Sequence, residues 1–171
     1  MCYRAFRYIK ASICIMIASG IISACCPGLF TYNGNKVTQQ NRMIPLKPGE
    51  QQDVWKTNEL SVTYQYQMTP EALKITGTTD LVGGFKLGFS QIHRLSVYLL
   101  FLDKQGIVIE SPLIYSAGME RSIDTIPMNF ERTIPVPEGT QAISFAYDGA
   151  LTDGGSEDST SCNIGYSPSK P

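Results

Sequence analysis

The sequence predicts an all-β domain, an antiparallel two-sheet sandwich of immunoglobulin-like type. Three observations predict it. Residues Leu60 to Met68 alternate strictly between apolar and polar side chains, the period of a half-buried strand. Leu95 to Leu102 is apolar at nearly every position and turns through Asp103-Lys104-Gln105-Gly106 into Ile107-Val108-Ile109. The other apolar runs are short, separated by Gly, Pro and Asn, and show no long helical period. Many short strands of this kind bury their inner faces as two packed sheets. A small up-and-down β-barrel is the alternative.

In chain order, Met43 to Leu46 is a weak strand. Trp55, in Gln51-Gln52-Asp53-Val54-Trp55, precedes the regular pattern. If exposed beside a groove, it is a candidate ligand contact, since aromatics anchor partners at recognition surfaces. The tyrosines that lie on alternating strands, such as Tyr64 and Tyr66, are in phase with the core. Leu60, Val62, Tyr64, Tyr66 and Met68 form one face of a strand; Thr69-Pro70-Glu71-Ala72 turns it, and Leu73 and Ile75 open the return strand of a hairpin. Gly77 and Gly83-Gly84 break regularity, and Phe85 to Phe89 is a second weak strand.

From Leu95 to Leu102, Val97, Leu99 and Phe101 share one face while Tyr98, Leu100 and Leu102 share the other. A strand apolar on both faces is covered on both sides. Gly106 falls where the hairpin loop after this strand needs a positive φ. Leu113 to Tyr115 is weak. Ile126, Met128 and Phe130 alternate, and Pro135 and Pro137 restrict the next stretch to an edge strand or extended loop. Ile143, Phe145 and Tyr147 alternate in turn. Seven to nine strands are expected, in a sandwich spanning 37–152. Beyond it, 153–171 reads as a flexible acidic loop and a polar C-terminal tail.

The N-terminus has a different character. Arg4, Arg7 and Lys10 precede an uncharged run from Ala11 to Ala24. Fourteen residues fall short of the roughly 20 that a permanent membrane helix needs, but suit the core of a signal peptide. The run closes on Ile22-Ser23-Ala24-Cys25, which resembles the lipobox of bacterial lipoproteins. That resemblance implies a signal peptide over 1–24, removed after diacylation of Cys25, and a short polar tether over 25–36. It implies a lipid anchor in the cell envelope, in the outer membrane if the host has two, because Cys26 and not Asp follows the acylated residue. Acyl chains gain about 0.8 kcal/mol per buried methylene, enough for stable attachment without a membrane-spanning helix. The hairpin around Leu99-Leu100-Phe101-Leu102-Asp103 loosely resembles that of FxLYD-type immunoglobulin-like domains of exported bacterial proteins, and implies only fold.

Cys2 and Cys14 lie in the signal, so the mature chain keeps Cys25, Cys26 and Cys162. With Cys25 acylated, Cys26 and Cys162 are the one candidate intrachain disulfide, which an oxidising compartment permits. A free Cys162 or a modified Cys26 fits the sequence equally. Loss of Arg4, Arg7 and Lys10 leaves 11 of 14 basic residues against 15 acidic ones, a net charge of −4. A mildly acidic surface argues against nucleic acid as a partner.

Catalytic signals are sparse. His93 is the sole histidine; no Gly-x-Ser-x-Gly elbow accompanies it, and one histidine cannot supply a multi-histidine zinc site. Asp148, Asp153, Glu157 and Asp158 do not follow the spacing of an EF-hand loop. Glu110 and Glu120 read simply as acidic residues. The expected protein is therefore an envelope lipoprotein without cofactor or metal, a non-catalytic binding or assembly module. Its partners would be the membrane, through its anchor, and another envelope protein. A secretion or pilus accessory protein is one alternative, and a hydrolase using His93 another.

Overall fold

The structure is a computed structural model that describes residues 31–123, 128–154 and 160–171. Cys25, Cys26 and the whole signal segment lie outside the described residues. Among the described residues, ten strands form two antiparallel sheets that pack face to face and do not close into a barrel. They are β1 (Ile44–Pro45), β2 (Gly49–Lys56), β3 (Leu60–Met68), β4 (Ala72–Leu81), β5 (Gln91–Leu102), β6 (Val108–Glu110), β7 (Leu113–Ser122), β8 (Met128–Pro135), β9 (Ala142–Thr152) and β10 (Ser161–Tyr166).

One sheet has the order β2-β3-β4-β8. In the other, β5 and β9 pair centrally from Gln91↔Thr152 to Leu102↔Ala142. β7 and β6 share the far edge of β5, and β10 and β1 share the far edge of β9. The chain passes from β4 to β5 in the opposite sheet, returns as β8 beside β4, and crosses again as β9 beside β5. These two interlocked pairs form the centre of the two-sheet sandwich.

The alternation of β3 is realised as read: Leu60, Val62, Tyr64 and Tyr66 are buried, while Thr63, Gln65 and Gln67 are exposed. They meet Leu95, Val97, Leu99 and Phe101 of β5 and Ile143, Phe145 and Tyr147 of β9 in one core. The turn between β5 and β6 is also as read. Asp103 Oδ1 accepts from the Gln105 and Ile107 backbone N–H groups at 2.8 Å each, and Gly106 adopts φ +79°.

The second apolar face of β5 is covered chiefly by the segment before β1. Tyr32, Val37, Leu100, Leu102, Val108 and Ala146 form a smaller cluster, with Met43 and Tyr98 against it. Tyr32 is 3 % exposed and meets Tyr98 edge-on at 5.3 Å. Lys36 bridges both Ile107 and Ser169. The tether expected over 25–36 is therefore packed chain from Thr31 onward, because the outward row of β5 needs an apolar cover.

Three further expectations are corrected. The polar tail over 153–171 contains β10, whose Ile164 enters the core, because the edge of β9 from Tyr147 to Thr152 needs a partner. Phe85 to Phe89 is not a strand but lies within and just after a short helix, α1 (Gly84–Gly88). Their four-residue spacing puts Phe85 and Phe89 on one side with stacked rings 6.3 Å apart, while Leu87 is 90 % exposed. Finally, the described residues hold ten strands, not seven to nine, since β2 is a strand of eight residues that period alone does not reveal.

Candidate functional site

The side chains with the most chemistry gather where the β2 edge of one sheet meets β1 and β10 of the other. β2 runs beside β3 so that Trp55 lies opposite Val62 and faces inward. Along β10 alternation turns Cys162, Ile164 and Tyr166 towards the core. The Trp55 ring lies 5.6 Å from Phe145, 6.3 Å from Tyr147 and 5.4 Å from Tyr166, between centroids.

Over this cluster a 3-10 turn, Gln40–Arg42, delivers Arg42. The guanidinium carbon stands 4.3 Å from the centroid of Tyr166 and 5.5 Å from that of Trp55, within the range of cation–π attraction. Its Nε donates to Gln39 Oε1. Its Nη1 is buried with no hydrogen-bond acceptor, as is Trp55 Nε1. Among the described residues no carboxylate forms an ion pair with Arg42.

Behind the rings, a hydrogen-bonded clasp joins the two sheets. Tyr147 Oη donates to Glu59 Oε2 at 2.8 Å and lies 2.7 Å from Thr57 Oγ1. The Gly165 N–H donates to the same Glu59 oxygen at 3.1 Å. Burial raises the Tyr147 phenol above its ordinary 10.0; the Glu59 bond and charge add to the rise, while the Thr57 bond and Arg42 oppose it. Burial also raises Tyr166, against the influence of Arg42. These are neutral phenols and ring faces around one cation, a set suited to holding charge and not to moving protons at neutral pH.

A phenol whose folded pKa is raised favours the native state fully below its unfolded value and loses that contribution as pH climbs through the folded value. Tyr32 is pushed up to about 12, chiefly by burial, and Tyr64 and Tyr147 move the same way. Stability should therefore show no phenol-dependent decline below pH 10 and fall progressively above it. Urea midpoints measured across the alkaline range test this, and a fall that begins well below the ordinary phenol pKa would contradict it.

The structure separates the sequence-derived candidates. Trp55 is 4 % exposed, so the surface exposure its ligand-contact role required is absent; it is a core side chain with Arg42 over its ring. Cys162 is half-buried on β10, with Sγ 3.6 Å from the Asn163 carbonyl; Cys26 lies outside the described residues. His93 is exposed on β5, where the register with β9 shifts between Ile92 and Arg94. Among the described residues no three His, Cys, Asp or Glu side chains assemble as a metal site. No described helix is long and apolar enough to cross a membrane.

Two of the other concavities among the described residues are shallower in chemistry. One, of about 420 Å³, lies over β2, β3 and β4 and is lined by Gln52, Asp53, Val54, Thr63, Gln65 and Thr76 among others. The other lies beside α1 and Ser90. His93 lines neither. The outward polar rows of the first are tied by bonds such as Thr78 Oγ1 to Asn129 Oδ1 at 2.8 Å and by the exposed Lys74–Glu131 pair. This is the pattern of a solvated sheet face, where exposed ion pairs contribute little.

Sequence reading does not single out Arg42. The only local signal is a basic residue amid polar ones just before a weak apolar run. No family model matches the chain, and neither curated proteins nor solved structures give a match.

Proposed function

We propose that this chain is a lipid-anchored envelope protein whose sandwich serves as a non-catalytic binding or assembly module. The observation that carries the reading is the coincidence of a basic start, an uncharged run and the Ile22-Ser23-Ala24-Cys25 lipobox. Only five residues separate Cys25 from Thr31, where packed chain begins, so the link spans at most about 20 Å when extended. A domain held that close to lipid acts on partners at the membrane. The gathering of aromatic faces about a cation supports binding over catalysis.

Intact-mass analysis of membrane-fraction protein should show a chain that starts at acylated Cys25. Cys25→Ala should leave an uncleaved, unacylated precursor. Recovery of the unmodified full-length wild-type chain would end the lipoprotein reading.

A secretion or pilus accessory role is the second reading. One feature favours it: β2, eight residues long, pairs only with β3 among the described residues, and an open strand edge is where a partner strand can add.

A further inference from the structure

We propose that the Trp55–Tyr166 ring pair is a binding site for an arginine-bearing extended peptide of a partner protein, and that Arg42 occupies it as a displaceable internal ligand. The inference rests on the binding-module reading and gives it a ligand class, but it does not depend on the lipid anchor.

The ring faces, and no acid, hold the Arg42 charge. An arginine that only pins a loop would gain more from a carboxylate, as a bidentate pair. Glu59, whose charge acts with that of Arg42 on Tyr147, has its Oε2 engaged by Tyr147 and Gly165. One buried guanidinium nitrogen has no acceptor, which costs free energy in the closed arrangement. The chain around it makes few backbone bonds, although Ile44 and Leu46 pack against the main core and Met43 against the smaller one. Thr38 to Asn41 and Pro45, Lys47 and Pro48 are exposed, and β1 pairs with β9 at just two positions, Ile44↔Ile143 and Pro45↔Ala142. Beyond these, Leu46 N–H donates to the Gln141 carbonyl and Lys47 N–H to Tyr66 Oη, each at 3.0 Å.

The edge of β9 shows what would replace this strap. β1 covers Ala142 and Ile143, and β10 takes over only at Tyr147. Ser144, Phe145 and Ala146 have no strand partner on that side among the described residues. The strap leaves the ladder there because it coils into the 3-10 turn ending at Arg42. A foreign strand in the same antiparallel register would continue along Ser144 to Ala146 and gain ladder bonds that the strap lacks. Its arginine would stand opposite Phe145, whose ring is already 5.6 Å from Trp55. The Trp55 indole N–H, lacking an acceptor, offers a donor to a peptide carbonyl.

Trp55 is the sole tryptophan, so its emission reports the site directly. The probe is a synthetic peptide with the sequence of residues 38–48, compared with the same peptide carrying alanine at its arginine. The protein is the full mature chain, as wild type and as Arg42→Ala. Arg42→Ala should make Trp55 more accessible to acrylamide. The arginine peptide should restore protection and bind the variant at least about tenfold more tightly than wild type, whose own strap competes; the alanine peptide should do neither. Equal affinity of the two peptides, or unchanged Trp55 accessibility in the variant, overturns the proposal.

Should Arg42→Ala fail to fold, Pro45→Cys with Ala142→Cys provides a reversible latch that keeps Arg42. Peptide binding that appears only after reduction supports the proposal, and binding unaffected by the latch overturns it. A partner cross-linked to the intact wild-type protein through another face, with no peptide binding here, would leave the binding-module reading standing and remove this site alone.

Discussion

Phe101→Ala should destabilise the domain by about 3 to 5 kcal/mol, the usual cost of truncating a fully buried phenylalanine. Phe101 is 0 % exposed and belongs to β5, which pairs with β9 along its length. Ile143 stands opposite it, and neighbours on paired strands cannot collapse into the space without breaking the ladder. The cost therefore includes both lost burial and a residual cavity. Leu99→Ala, at an equally buried site, should lose about 2 to 5 kcal/mol. Ser61→Ala is the control. Its side chain lies on the outward row of β3, with a long 3.4 Å bond to the Asp80 carbonyl, and should cost under about 0.5 kcal/mol. Urea denaturation with a common m-value would measure all three. Small, equal losses would mean that the inward phase of β5 is wrong.

Gly77→Val should be comparably damaging for the opposite reason, excess volume. A Cβ at Gly77 would lie 2.4 Å from the Thr63 carbonyl oxygen and 2.6 Å from Phe130 Cζ. The Phe130 ring can move, whereas the Thr63 carbonyl belongs to β3, the strand directly paired with β4. Relief requires β3 and β4 to separate locally, with an expected loss of about 3 kcal/mol or more. Gly77→Ala meets the same two obstacles. Made in a Phe130→Ala background, it should cost less than it does alone, because one obstacle has gone, so the two changes should be non-additive. Thermal melts of the single and double variants decide this. Strict additivity would show that Phe130 does not cover Gly77.

Both results bear on how the fold can be read. The inward phase of Phe101 is written in its neighbours: Val97, Leu99 and Phe101 repeat at period two. Asp103 and Gly106, just beyond them, specify a turn through bonds within a few residues. The obstacle at Gly77 is invisible in the chain, since Phe130 is far off in sequence and opposes it only once β8 has returned beside β4.

The same division runs through the candidate site. Trp55 stands out in the sequence as the unplaced aromatic, but its burial depends on Phe145, Tyr147 and Tyr166, contributed by strands far along the chain. β2 escapes detection because its inward row begins with Gln51 and Asp53, side chains tolerated at a sheet edge where solvent reaches them. β10 escapes because Ser161-Cys162-Asn163-Ile164-Gly165-Tyr166 is too polar and too short to show a period, and becomes a strand by pairing with β9.

By itself, then, the sequence determined the sandwich class, the β3–β4 and β5–β6 hairpins and the two-sided burial of β5. Each of these depends on side-chain period or on bonds between near neighbours. Only the tertiary structure decided what covers the outer face of β5, which polar segments become edge strands, and that Arg42 stands over the rings of Trp55 and Tyr166. Those outcomes depend on contacts between residues far apart in the chain, which form only when the sheets have assembled and leave no periodic trace in the chain itself.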